Sequence, residues 1–243
     1  CSYKKGEKDG VWTVFYENGQ KYHEGNFLNG YEDGEWKSWH ENGQLESQGE
    51  FVDGIMNGLW KKWHFDGKKL SEIELDMGLK SGKALYWNEY GFLEKEEHYI
   101  IVEVKKQSDK TNLEEERISR KSIYHGKYVT NFPNGKPNII GEYFYNNKNG
   151  KWEIYAPLGR INFDKIDSKN FSKIEVTKVK EEYYDKGQPD GTWKSWYEEG
   201  MQESEINYKN GAKNGKLVYY DKSGRIIYEA VFKMNELKKT VVD

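Results

Sequence analysis

Large apolar residues recur along this chain at short, fixed intervals, each set apart by glycine and polar residues, and the pattern repeats every 24 positions. Aligned on that period, the chain forms eight units beginning at Asp9, Asp33, Asn57, Ser81, His125, Asn149, Asp190 and Asn214. Two breaks, of 20 and 17 extra residues, interrupt the spacing. All nine tryptophans stand at the fourth position of a unit (Trp12, Trp36, Trp60, Trp152, Trp193) or the seventh (Trp39, Trp63, Trp87, Trp196). A further apolar column at position nineteen carries Phe27, Phe51, Leu75, Tyr99, Tyr143, Tyr208 and Phe232. Self-similarity at such a period is the signature of a repeat architecture, in which each unit buries its surface against its neighbours.

Glycine sets the punctuation. The second position of each unit is Gly10, Gly34, Gly58, Gly82, Gly126, Gly150, Gly191 and Gly215. The eleventh is Gly19, Gly43, Gly67, Gly91, Gly135, Gly159, Gly200 and Gly224, preceded in several units by Asn18, Asn42, Asp66 or Asn134. Asn-Gly and Asp-Gly pairs adopt positive φ cheaply, which predicts a two-residue turn there and one β-hairpin per unit. The fold class that follows is all-β: an elongated solenoid of stacked antiparallel hairpins forming a long twisted sheet of about sixteen strands. Rings at positions four and seven are three residues apart. Either both faces of the sheet carry aromatics or a bulge realigns them.

The domain plan is a tether over 1–8, four repeats over 9–104, a spacer over 105–124, repeats five and six over 125–189, and repeats seven and eight with a cap over 190–243. The 17-residue break falls inside the sixth unit, as an elaborated second strand or extra hairpin near 161–177, where Ile174 to Val179 alternates apolar with polar. In the other break His98 to Val104 reads as strand, and Thr111 to Lys121 as a capped helix or, preferably, a return strand. Polar ends, Ser2 to Lys8 and Met234 to Asp243, would cap the array.

Composition narrows the function. Mean hydropathy is -1.04, yet aromatics make up 16%, so the chain folds by layering rings rather than by filling a deep aliphatic core. A formal charge of -3 supplies no basic excess, and nucleic acid is not an expected partner. The single cysteine excludes an internal disulfide or cysteine metal cluster. His40 and His64 share one repeat column, while His23, His98 and His125 lack metal-ligand spacing, so no metal or cofactor is expected. Nucleophile-elbow and phosphate-loop patterns are absent from the sequence, and the expectation is a protein without catalytic residues.

The run from Asp33 to Leu45, Asp-Gly-x-Trp-x-x-Trp-His-Glu-Asn-Gly-Gln-Leu, resembles the bacterial variant of the MORN repeat, found in proteins often labelled antitoxin components of the YwqK type. The resemblance implies an elongated sheet of hairpins, a role in protein or membrane association, and no catalytic residues. Trp193 to Tyr197 is also similar to glucan- and choline-binding wall repeats, whose period is shorter. Cys1, the only cysteine, fits the acylated first residue of a bacterial lipoprotein, which would place the protein at the cell envelope on a lipid anchor. Without that modification it would be cytoplasmic. The expected partner is another protein, held on a row of Trp39, Trp63, Trp87, Trp196 and Tyr197; a toxin to be neutralised and a cell-wall glycan are the alternatives.

Overall fold

A computed structural model describes residues 2–105, 118–159, 161, 170 and 172–242. Cys1 lies outside them, as do the central part of the first insertion and most of the second. The architecture is all-β, with nineteen strands among the described residues. Two compact units divide the chain, Cys1–Ile123 and Tyr124–Asp243.

In the first unit every strand is antiparallel to the next: β1 (Ser2–Lys4), β2 (Glu7–Phe15), β3 (Lys21–Leu28), β4 (Tyr31–Trp39), β5 (Leu45–Val52), β6 (Ile55–Trp63), β7 (Lys69–Asp76), β8 (Leu79–Trp87) and β9 (Leu93–Lys105). In the second unit β10 (Ile118–Asn131), whose first residues belong to the first unit, pairs antiparallel with β11 (Pro137–Phe144), and the pairing passes in chain order to β12 (Asn147–Pro157) and β13 (Val176–Asp185). β13 pairs with both β14 (Gln188–Pro189) and β15 (Gly191–Trp196), and β15 leads on through β16 (Gln202–Lys209), β17 (Ala212–Tyr220), β18 (Ile226–Lys233) and β19 (Glu236–Val242). Residues 2–8, expected as a tether, supply β1 and the start of β2, and the C-terminal segment forms β19. The second break sits between β12 and β13, which pair directly as the two strands of the sixth hairpin. Of the segment Thr111 to Lys121, residues 118–121 open β10, and 111–117 lie outside the described residues.

The turns differ from the sequence expectation in one respect. All eight position-eleven glycines have positive φ, from 78° at Gly135 to 89° at Gly91 and Gly200. Yet the Asn-Gly pairs there do not close two-residue hairpins. Gly43 N–H donates to the His40 carbonyl and His40 N–H to the Gln44 carbonyl, leaving the three-residue loop Glu41-Asn42-Gly43. This is a type I turn followed by a left-handed glycine, with Asn42 Oδ1 accepting the Gln44 N–H at 3.0 Å. An extra residue on the return strand accompanies it, since Ser38 faces Ser47 while Trp39 faces Leu45. The two-residue turns join one unit to the next, at Asn29-Gly30, Asp53-Gly54, Met77-Gly78, Lys186-Gly187 and Asn210-Gly211, where both central residues have positive φ. These type I′ turns stack. Gly54 N–H donates to the Glu32 carbonyl and Gly78 N–H to the Met56 carbonyl of the preceding turn.

Candidate functional site

Side chains in each sheet sort onto two faces. On β4 the bulge residue belongs to the partner strand, so Trp36 and Trp39, three residues apart, point to opposite sides. Both faces therefore carry aromatics.

The position-four rings make the core face. Trp36 lies flat across Gly25 of the previous hairpin, Trp60 across Gly49 and Trp152 across Gly141; a Cβ built on any of these glycines would stand 2.1 to 2.2 Å from the indole. Each indole N–H then donates to the carbonyl one residue on: Trp36 to Asn26, Trp60 to Glu50, Trp152 to Glu142. The position-nineteen rings wedge edge-on between them, giving Trp12, Phe27, Trp36, Phe51 and Trp60 as a ladder with successive centroids 5.0 to 5.9 Å apart. Tyr128, Tyr143 and Trp152 repeat the arrangement in the second unit. Burial is deep for a single layer, with Trp152 2% exposed and Trp60 7%. Beside the first-unit ladder lies a hollow of about 410 Å³ among Trp12, His23, Trp36, Ser38, Phe51 and Trp60. It exists because Ser38 and Ser47, hydrogen-bonded to each other at 2.6 Å, are small. Burial holds the His23 imidazole below its ordinary pKa.

The position-seven row occupies the opposite face. Trp39, Trp63, Trp87, Trp196 and the adjoining Tyr197 are each half-buried. Lysines lie over several of the rings: Lys21 Nζ is 5.5 Å from the Trp39 ring centre, Lys69 5.2 Å from Trp87, and Lys178 5.1 Å from Trp196. In place of such a lysine, Leu45 stands between Trp39 and Trp63 in the column of Lys21 and Lys69. In the first, second, third and seventh units the ring after the position-seven residue ties its turn to the next hairpin: Tyr16 O–H donates to the Trp39 carbonyl at 2.7 Å, and His40 Nε2 meets the Trp63 carbonyl at 3.0 Å. His64 Nε2 and the Trp87 carbonyl are 3.3 Å apart, and Tyr197 O–H donates to the Tyr220 carbonyl at 2.8 Å. Asn42 adds a bond from Nδ2 to the Phe65 carbonyl at 2.8 Å. His40 and His64 are thus linkers between repeats.

Charges on this face pair across strands. The densest set is Lys151, Glu153, Lys178 and Glu181, whose four contacts span 2.7 to 3.2 Å. The hydrogen bond from Lys151 holds the Glu153 carboxyl low; burial raises that of Glu181, but bonds from Lys178 and Lys151 outweigh it and the net shift is downward. Among the described residues no group of three or more His, Cys, Asp or Glu side chains is placed to hold a metal ion.

Sequence reasoning named the position-seven column, which in the first unit places Trp39, Trp63 and Trp87 on successive hairpins, but missed the glycines beneath the core indoles. The signal was there: Gly25, Gly49 and Gly141 share position seventeen of their units.

Hairpins of this length, with turn glycines in two fixed columns and, at three crossings, an indole laid over a glycine of the preceding hairpin, define a stacked-hairpin repeat protein. Three segments, residues 8–29, 32–53 and 189–210, match the family model of the MORN repeat variant, so the chain carries MORN-variant repeats there. Each match starts one residue before a unit: the first, second and seventh. No curated protein matches the chain. Among solved structures, one described as "Crystal Structure of TcdB2-TccC3-Cdc42" is similar at 11% identity and a TM-score of 0.23, over 96% of this chain but 12% of that one.

Proposed function

We propose that the protein is a non-enzymatic binding scaffold whose position-seven rings, Trp39, Trp63 and Trp87 in the first unit and, taken separately, Trp196 and Tyr197 in the second, hold another protein. One observation carries this reading. The backbone carbonyls of Trp39, Trp63 and Trp87 are each held by a ring of the preceding hairpin, while their indoles remain only half-buried on the face that the core ladder does not use. A pre-arranged aromatic row loses little side-chain entropy on binding, and tryptophan is the side chain most enriched among binding hot spots. Trp63, beside Leu45 rather than under a lysine, is the ring best placed to anchor a partner.

The bacterial cell envelope is the setting we propose, and neutralisation of a toxic partner is the narrower form of the same activity. The test is a crosslinking pull-down from the membrane fraction with the native chain and with Trp63→Ala/Trp196→Ala. Loss of one dominant protein from the variant, its circular dichroism unchanged, is the expected result. Equal capture by both chains would end the proposal, and retention on wall polysaccharide instead would replace it with glycan binding.

A further inference from the structure

The stacked type I′ turns between the first and second and the second and third hairpins form a surface unlike the other two-residue turns among the described residues. Residues 28–33 and 50–57 contain four carboxylates, Glu32, Asp33, Glu50 and Asp53, and no lysine, arginine or histidine; Glu32, paired with Phe27, turns to the core face, which leaves Asp33, Glu50 and Asp53 beside this surface. None of the four meets a cation within ion-pair distance among the described residues. Within this acidic setting stand large apolar side chains turned to solvent: Leu28, Tyr31, Val52 and Ile55, with Tyr31 60% and Ile55 42% exposed. They form two cross-strand pairs, Leu28 with Tyr31 and Val52 with Ile55, and so lie on one face. Continuity comes from the turns themselves. Tyr31 Cδ1 lies 3.4 Å from the Cβ position of Gly54 in the next turn, and Ile55 Cγ2 3.3 Å from that of Gly78. In the second unit the equivalent turns carry Lys148, Lys186, Lys209 or Lys233 instead.

We propose that this rail is a second docking surface, distinct from the tryptophan row, and that its occupant is a basic, apolar-faced segment of another protein. Apolar side chains supply the buried area, and the unpaired carboxylates select lysine or arginine at the segment's margins. The same carboxylates repel an anionic lipid surface, so a membrane is the wrong occupant by charge.

Amide chemical shifts of the labelled full chain test this, using an amphipathic peptide of leucine and lysine and its counterpart of leucine and glutamate. The lysine peptide should shift Gly30, Tyr31, Gly54 and Ile55, with affinity that falls as salt rises, while the glutamate peptide leaves them unmoved. Tyr31→Ser/Ile55→Ser should weaken that binding by about tenfold or more, and Glu50→Gln/Asp53→Asn should abolish most of its salt dependence. Shifts of equal size with both peptides, shifts confined to the Trp39–Trp63 row, or indifference to these substitutions would each overturn the proposal. So would displacement of the same amides by anionic phospholipid vesicles.

Discussion

Two neighbouring crossings between hairpins solve one packing problem in opposite ways. Where the second hairpin meets the third, Gly49 leaves room for the full indole of Trp60; where the third meets the fourth, Ile73 faces Ala84. Large and small have changed strands. Ala84 is completely buried all the same, so the crossing closes without the ring. The requirement at each junction is a combined volume rather than a tryptophan, as expected of an interior packed to crystal-like density. A repeat can therefore lose its signature residue and keep its place in the sheet.

Filling the first crossing should do the most damage. In Gly49→Val a branched side chain enters where the nearest indole atom is 2.2 Å from Cβ, which displaces Trp60 and opens the Phe51–Trp60 contact. A loss of about 3 kcal/mol or more is expected in urea denaturation. Because each hairpin is buried mainly by its neighbours, exchange protection should collapse over β4 to β7 before it falls elsewhere. A uniform loss would mean that the array unfolds as one body.

Trp60→Ala should cost nearly as much, about 3 kcal/mol, through the void it leaves beside Gly49. The sharper experiment combines the two sites. Gly49→Ile/Trp60→Ala copies the Ile73/Ala84 pair, and should be more stable than the sum of the single changes by about 1–3 kcal/mol. Additive losses in the cycle would show that the Ile73/Ala84 crossing depends on something other than complementary size.

This exchange also marks how far the fold could be read from residues alone. The period, the hairpins and the break inside the sixth unit are visible because glycine and tryptophan occupy fixed columns, and such columns arise only when backbone geometry repeats. The turn types were less legible. Asn29-Gly30 and Asp53-Gly54 carry the same residue pairs as Asn42-Gly43 and Asp66-Gly67, and only the register decides which pair closes a two-residue turn. Which tryptophans are core was hidden for a similar reason, since the small partner of each indole lies on another hairpin, 11 residues before it. The binding row was legible as a column but not as a face.

The eleventh-position turns should respond more mildly than the crossings. Gly43 has φ of 83°, and Gly43→Val forces a β-branched residue into that region beside Gln20 Oε1. A cost of about 1–3 kcal/mol is expected, read as a lower urea midpoint. Strain should be confined to the turn, leaving the Trp36–Phe51 contact intact by tryptophan fluorescence. Loss of that contact would show that the turn, rather than the crossing, sets the register.

The smallest effect belongs to the charged face of the second unit, where no core ring is at stake. Glu153 and Glu181 titrate below their ordinary values, so the folded chain releases their protons more readily than the unfolded chain does. A carboxyl lowered by folding contributes stability that is present above its unfolded pKa and is lost as pH falls through the folded one. Stability of this unit should therefore be flat above roughly pH 5 and decline below the usual glutamate range. Substituting Glu153→Gln removes one contributor and leaves Lys151 and Lys178 sharing Glu181 alone. The acid-side slope of a urea-midpoint profile should then become shallower, while Gly49→Val, which touches no charge in this set, should lower the first unit's midpoint without changing that slope. A variant with the native slope would place the acid sensitivity in other carboxylates, and the Lys151–Glu181 set would be a solvated pairing with no measurable share in stability.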